Sequence, residues 1–455
     1  MEFDKIQLLT LKSNKALPVT ECTQDVFAFP ACKRRRVEAH FDGGDITSDG
    51  GVLLLRQADH LLGLSAAVAG ALDEPRRRAS CTHDLESLVR QRLYALALGY
   101  EDLNDHHSLR QDLALQTAVG RDACLASAST LCRWENRADR AAAWRLHEVL
   151  IQQFIASHRR APKRLILDFD ATDDAVHGQQ EGRFFHGYYD HYCFLPLYVF
   201  CGDQLLVSYL RPSRIDGAKH AWAILALLVK RLRQAWPKVR ILLRGDSGFC
   251  RWRMLHWCER HGLDYLVGIA RNTRLTAQAR PFLQAAEQAF EASGRKQRRF
   301  HALYYAAQTW DRRRRIILKA EHAAQGSNPR YLVTNLSAEP KYLYDRLYCA
   351  RGEMENRIKE QQLDLFADRT SCHAWWPNQF RLLLSGLAYS LLEAIRRLAL
   401  TDTELAQAYV GTIRLKLLKI GAVIVRNTRR VRFLLSSAYP YQALFAHVTT
   451  KLHPT

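Results

Sequence analysis

The pattern of apolar and polar positions changes twice along this chain. Between residues 47 and 159 apolar residues recur at three- and four-residue steps, as in Val52-Leu53-Leu54-Leu55-Arg56-Gln57-Ala58 and Leu85-Glu86-Ser87-Leu88-Val89-Arg90-Gln91-Arg92-Leu93, which predicts helices. Asp84 precedes the second run as an N-cap, and turn residues from Gly99 to Asp105 separate helices. Beyond Pro162 short β-rich runs take over, at 164–170, 195–200, 205–210, 239–244 and 265–269, with a helical stretch at 220–233 before the fourth. That alternation predicts an α/β domain around a central mixed sheet, preceded by an all-helical region. Further β runs at 300–305, 315–320 and 330–334 read as a β-rich insertion interrupting the core, because the spacing is too long for a loop. Residues 380–398 are again helical, and 423–435 reads as a basic strand pair.

Composition narrows the partner. Sixty-six Lys and Arg against 46 Asp and Glu give 455 residues a formal charge of +20, and the excess is clustered at Lys33 to Arg36, Arg76 to Arg78, Arg295 to Arg299, Arg312 to Arg315 and Arg426 to Arg432. Each cluster alone is an ordinary solvated face, but together they point to a track for nucleic-acid phosphates. No apolar run reaches the ~18 residues of a membrane span, and the first residues lack a secretory pattern, so a cytoplasmic, nucleoid-associated protein without membrane contact is expected. Eleven cysteines without a Cys-x-x-Cys pair argue for buried reduced thiols instead of a disulfide framework or zinc ribbon. The expected organisation is an N-terminal arm (1–45), a helical DNA-binding region (46–160), a first core part (161–275), the β-rich insertion (276–338), a second core part (339–400) and a basic C-terminal region (401–455) suited to dimerisation or DNA contact.

Three acidic positions carry the candidate chemistry. Asp168 and Asp170 end an apolar strand and share one face of it; either suits a metal, and Asp170 is favoured because it lies at the strand end beside Thr172. Asp246 follows another apolar run between Gly245 and Gly248, which let the backbone bend and a phosphate approach, although an Asp closing a plain turn looks the same. On a helix Tyr348, Arg351, Glu355, Lys359 and Gln362 recur at three- and four-residue steps on one face, with i,i+4 salt bridges as the competing reading. Three gathered carboxylates suit two divalent cations about 4 Å apart that activate a water or 3′-hydroxyl and stabilise the leaving oxygen. His177, His186 and His191 lack regular ligand spacing and read as loop residues. The segment 127–136, with Arg133, opens either a helix-turn-helix reading helix or a plain bundle helix.

With these residues the chain resembles insertion-sequence transposases of the DDE class, specifically the IS1380 family in the IS4-like group. The matching pieces are Leu167-Asp168-Phe169-Asp170-Ala171-Thr172-Asp173 with His177-Gly178-x-Gln180-Glu181-Gly182, Arg244-Gly245-Asp246-Ser247-Gly248-Phe249, Glu355-Asn356-Arg357-Ile358-Lys359-Glu360, and Leu417-Leu418-Lys419-Ile420-Gly421-Ala422. Ser48-Asp49-Gly50-Gly51, residues 97–105 and Thr130-Leu131-Cys132-Arg133-Trp134-Glu135-Asn136 match too. The resemblance implies an RNase H-like core with Asp170, Asp246 and Glu355 as catalytic metal ligands, Mg²⁺ as cofactor with Mn²⁺ able to substitute, and double-stranded DNA held by a homodimer. Tyr348, Arg351 and Glu355 fit the group's Tyr-x2-Arg-x3-Glu signature, which often continues to a Lys where this chain has Gln362; Lys359 is the candidate substitute. Relatives with a β-rich insertion stack a flipped base on Trp, a role open to Trp310 beside that of a packed core Trp. A nuclease without strand transfer and a DNA-binding protein that has lost its chemistry remain the competing classes.

Overall fold

The computed structural model describes residues 26–77 and 81–453. Part of the expected arm is regular. Strands β1 (Phe27–Cys32) and β2 (Arg35–Ala39) form an antiparallel hairpin turned at Lys33, whose φ of 57° is left-handed; residues 1–25 lie outside the described residues. A two-residue strand β3 (Ile46–Thr47) follows.

Helices α1 (Val52–Leu62), α2 (Leu64–Ala71), α3 (Leu85–Leu98), α4 (His106–Leu109), α5 (Leu113–Val119), α6 (Ala128–Glu135) and α7 (Arg140–Ala156) occupy the predicted helical region. Asp84 caps α3 by accepting from Ser87 N at 2.7 Å, as its position in the sequence indicated. The α/β part then supplies β4 (Arg164–Ala171), β5 (Asp174–Ala175), β6 (Phe184–His186), β7 (His191–Phe194), β8 (Leu197–Cys201), β9 (Gln204–Tyr209), α8 (Ala221–Ala235), β10 (Arg240–Gly245), α9 (Trp252–Arg260), β11 (Asp264–Gly268) and α10 (Thr273–Ser293). Strands β12 (Gln297–Tyr305), β13 (Arg314–Ala323), β14 (Gly326–Ser327) and β15 (Arg330–Thr334) follow.

One nine-stranded sheet organises the molecule, in the order β12-β13-β15-β11-β10-β4-β8-β9, with β14 on β13. Strands β4, β10 and β11 are parallel neighbours, whereas β8 and β9 on one side and β15, β13 and β12 on the other run antiparallel. The β runs expected as a separate insertion therefore widen the central sheet. The free edge of β11 needs hydrogen-bond partners, β15 supplies them at Val267↔Val333, and Ile316, Leu318 and Val333 then bury in the same core as Val267.

Alternation along the strands sorts the two faces. Leu165, Leu167 and Phe169 of β4 and Ile241 and Leu243 of β10 point into a core with α8, α9 and α10. Ile166 and Leu242 point the other way, to a chain segment that starts with α11 (Pro340–Tyr342) and continues through α12 (Gly352–Lys359). Helix α13 (Trp375–Ile395), buried along nearly its whole length, packs on α3, α7 and β9, so the N-terminal helices share its core instead of standing apart as a domain. Short α14 (Val410–Ile413), strands β16 (Ala422–Arg426) and β17 (Val431–Leu435), and α15 (Gln442–Leu452) complete the chain; β3 pairs with β16 in the sheet β17-β16-β3.

Three sequence motifs meet at that junction. Gly50 N and Gly51 N donate to the carbonyls of Ile420 and Leu418 at 2.8 and 3.1 Å, and a Cβ on Gly51 would stand 1.9 Å from Leu417 O. Asp49 accepts from Tyr100 Oη at 2.6 Å and pairs with Lys419 at 2.7 Å. The 48–51, 97–105 and 417–422 motifs are thus one buried knot that fastens the two ends of the described chain together. Among the described residues no single helix is long and apolar enough to cross a membrane. The ten described cysteines are free; Cys193 and Cys258 are buried as expected, whereas Cys32, Cys124 and Cys349 are exposed.

Candidate active site

Parallel pairing of β4 with β10 builds the centre of the site. Asp168 and Arg244 are register partners; Asp170 stands two residues further along β4 on the same face, and Asp246 just past the end of β10. Arg244 forks onto both carboxylate oxygens of Asp168, with Nη2 to Oδ2 at 2.6 Å, and its Nη1 donates to the carbonyl of Leu347. Asp168 is thereby fully engaged within the fold. Asp170, half-buried at the strand end, is the acid left open.

Asp246 closes a tight 3₁₀ turn by accepting from Gly248 N at 2.9 Å. This is the turn-closing role anticipated as the plain reading of that residue, and it leaves the other carboxylate oxygen free. Gly268, at the end of β11, allows the backbone and Tyr348 to approach: a Cβ there would meet Ser247 N at 2.8 Å, Tyr348 Oη at 3.0 Å and Asp246 C at 3.1 Å.

The third acid arrives on an irregular helix. Residues Leu343–Tyr348 form a π turn and Cys349–Arg351 a 3₁₀ turn before α12, and a second π turn spans Glu360–Asp364. These changes of pitch are common at functional sites, and they alter the face that even helical spacing predicted. Tyr348, Arg351 and Glu355 stay on the site, Lys359 is exposed one regular helical turn beyond Glu355, itself exposed, and Gln362 turns to donate to Asp173 O at 2.9 Å. Arg351 joins the acids: Nη2 contacts Glu355 Oε1 at 2.5 Å and Nη1 lies 3.6 Å from Asp170 Oδ1. The i,i+4 pair expected as the competing reading is therefore present, but it is turned toward Asp170.

Burial pushes the Asp170 carboxyl up to about 6, and the neighbouring charges of Asp246 and Glu355 push the same way while Arg351 pulls it down. Burial also raises the Tyr348 hydroxyl, against the pull of Arg351. A partly buried Asp170 carboxyl raised in the company of the Asp246 and Glu355 carboxylates offers the oxygen donors that suit a hard divalent cation. Asp170, Asp246 and Glu355 would hold it. The His/Asp/Glu group whose ligand atoms lie within 4.8 Å of one another among the described residues is a different one, His256, Glu259 and Asp311, and its acids are paired with Arg312 and Arg314.

Two residues named from the sequence stand away from these acids. Trp310 packs into the core on the helical side of the sheet, edge-on to Tyr305 at 5.5 Å and under the Arg314 guanidinium at 5.3 Å. Arg133 is exposed on α6, whose Trp134 packs edge-on to Phe380 at 5.1 Å and whose buried Glu135 pairs with Arg92 and Arg381, so α6 is built as a bundle helix. His186 and His191, expected as loop residues, are instead register partners on β6 and β7, and His191 pairs with Asp173 at 3.0 Å. Sequence reasoning passed over Arg244 and Gly268. The first was detectable, since Arg244 precedes Asp246 by two residues in the sequence as Asp168 precedes Asp170.

The sheet thus carries two acids at neighbouring strand ends, and a helix across its face brings a third toward them through Arg351. Residues 29–455 match the family described as transposase DDE domain group 1, and the chain belongs to that family. Among solved structures it is similar to piggyBac transposase in a cryo-EM synaptic complex with hairpin DNA, at 11% identity and a TM-score of 0.40, over 81% of this chain and 80% of that one. Comparison with curated proteins gave no match.

Proposed function

We propose that this chain is an insertion-sequence transposase of the IS1380 family, IS4-like group, which binds the terminal inverted repeats of its element, cuts them and joins the freed 3′-hydroxyls to target DNA. The observation that carries this reading is the placement of Asp170 and Asp246 at the ends of adjacent parallel strands with Glu355 tied to Asp170 through Arg351. The strand order β9-β8-β4-β10-β11, antiparallel and then parallel with acids at the ends of β4 and β10, supports an RNase H-like core.

Asp170, Asp246 and Glu355 would hold Mg²⁺, which would supply activation of the attacking water or 3′-hydroxyl and stabilisation of the leaving oxygen. The protein does the rest by positioning. Asp170 and Asp246 are fixed by the sheet, and Arg244 holds the helix of Glu355 against them through Leu347 O. Arg351, beside Asp170 and Glu355, would hold a phosphodiester oxygen, and Tyr348 would pack on or bond to the DNA backbone. Lys359 and Arg133, both exposed, add phosphate contacts, and a homodimer pairs the two ends. Such a protein works in the cytoplasm on the nucleoid.

The test is cleavage of DNA carrying the flanks of the coding region, with Mg²⁺ or Mn²⁺, by the wild type and by Asp170→Ala, Asp246→Ala and Glu355→Ala. Nicking at the element boundary that all three substitutions abolish while binding persists supports the reading. Cutting that survives Asp246→Ala refutes this site.

A further inference from the structure

From Leu405 to the C-terminus the chain carries no Asp or Glu and eight Lys and Arg. Five of these basic groups lie outside the β16–β17 loop and strand β17, and four of those five are held by the fold or by a side chain: Arg414 donates to the carbonyls of Leu96, Ala97 and Asp364, Lys416 pairs with Glu404, Lys419 with Asp49, and Arg426 donates to Gln116. Arg429, Arg430 and Arg432 differ. Among the described residues their side chains make no ion pair, hydrogen bond or ring contact, and all three are exposed.

Their scaffold is a stiff two-stranded ribbon. The inner face, Ala422, Ile424, Phe433 and Leu435, packs into the helical core, and β3 pairs with β16 at its base. The loop beyond the last cross-strand pair, Arg426↔Val431, is closed from within: Asn427 N donates to Arg430 O at 2.9 Å, and Asn427 Oδ1 accepts from Arg429 N and Arg430 N at 3.0 and 2.9 Å. The outer face carries Val425 opposite Arg432, and Leu434, with Val425 and Leu434 42% and 52% exposed. Arginine on an edge strand also discourages pairing with another sheet. That explains Arg432 at most, because Arg429 and Arg430 lie in the loop, where no ladder needs protection.

We propose that the ribbon Ala422–Leu435 enters the major groove of the duplex on which the acidic site acts. Arg429, Arg430 and Arg432 would meet backbone phosphates and base edges, and Val425 and Leu434 thymine methyls. A two-stranded ribbon fits the width of that groove, the loop backbone at its tip is held by Asn427, and the planar guanidinium fork matches phosphate oxygens and guanine edges. The inference rests on the DNA-cutting reading above, but it concerns a different part of the chain.

The full-length chain is titrated with a fluorescein-labelled duplex from the flanks of the coding region, and with its single strand, over a series of salt concentrations. Replacing Arg429, Arg430 and Arg432 together by Ala should lower the salt slope of duplex binding by about 0.9 for each phosphate no longer neutralised, and replacing them by Lys should largely restore it. Methylation of guanine N7, which lies in the major groove, should interfere with wild-type binding and not with what binding the Ala variant retains. Val425→Glu with Leu434→Glu tests the outer face without touching the loop and should weaken duplex binding at least ten-fold. An unchanged slope in the Ala variant beside a salt-dependent wild type overturns the ribbon and leaves the acidic site standing. Equal losses on duplex and single strand overturn the groove assignment. A wild type that binds no DNA, with the acidic-site variants equally inert, overturns the reading on which the ribbon rests.

Discussion

Arg244 and Asp168 are cross-strand register partners on β10 and β4, and their paired guanidinium and carboxylate lie one step behind Asp170 on the same face of the sheet and just before Asp246 at the end of β10. A third bond from Arg244 reaches Leu347 O in the segment that leads to Glu355. One buried cation thus touches all three elements that carry the acids. Charge pairs in such places add little net stability, yet breaking one partner leaves an uncompensated buried charge.

Asp168→Ala should therefore destabilise the fold by about 3–5 kcal/mol, read by chemical denaturation. Replacing both partners with apolar residues of similar size, Asp168→Leu with Arg244→Met, should cost much less than Asp168→Ala. The informative comparison is with cleavage. The double variant should bind DNA as the wild type does and still need more Mg²⁺ for half-maximal cutting, because Leu347 has lost its tether. Wild-type metal dependence in the double variant would reduce the pair to a packing element.

Gly268 makes a sharper prediction, since it touches Asp246 and Tyr348 at once. A methyl group there meets Ser247 N at 2.8 Å, an approach that backbone cannot absorb without moving the Asp246 turn. Displacement of a catalytic group by about 1 Å costs on the order of 10²-fold in rate. Gly268→Ala should lose about that much cleavage at saturating Mg²⁺ while circular dichroism and DNA affinity stay near wild type. Tyr348→Phe, which removes only the hydroxyl, should lose less.

The acids were legible because each carries a local sign. Asp170 and Asp246 each end an apolar run, and Tyr348, Arg351 and Glu355 keep a helical spacing short enough to survive the change of pitch at residue 348. Gln362, beyond the next change, was misplaced for the same physical reason: a π turn adds a residue, and the face rotates. Pairing partners were not legible at all. Strands β12, β13 and β15 read correctly as β runs, but nothing local says that β15 must add to the edge of β11 across an intervening helix of 21 residues. The helical region was likewise found without its packing, since α13, which unites it with the sheet, lies more than two hundred residues later.

The proposed metal site is coupled to pH at Asp170. Its carboxyl titrates at about 6 in the fold against an ordinary value of 3.8, so the folded state penalises the ionised form. That penalty is absent below pH ~3.8, grows through the window between the two values, and is complete above about 6. Without metal, Asp170→Asn should then raise the melting temperature at pH 7.5 and leave it nearly unchanged at pH 4, with a gain of order 1–3 kcal/mol at the higher pH. Adding Mg²⁺ should reverse the ranking at pH 7.5. A cation at ~100 times its dissociation constant stabilises the wild type by about 2.7 kcal/mol, and the Asn variant gains little.

Trp310 separates two uses of an aromatic ring. In a base-stacking role its face must be free, but one side of the ring meets the edge of Tyr305 and the Arg314 guanidinium lies over it. Arg314 is itself 3% exposed and bonded to Glu259 at 2.8 Å, so freeing the indole would mean dismantling a buried charge network. Trp310→Ala should consequently cost about 3–5 kcal/mol of stability, as large-to-small core substitutions do, and Trp310→Phe much less. If the ring only packs, DNA affinity and cleavage of the Phe variant, measured well below its melting temperature, should match the wild type. If the ring stacks on a displaced base, the Phe variant, though stable, should lose cutting at the step that follows the first nick, which a substrate already nicked on one strand isolates.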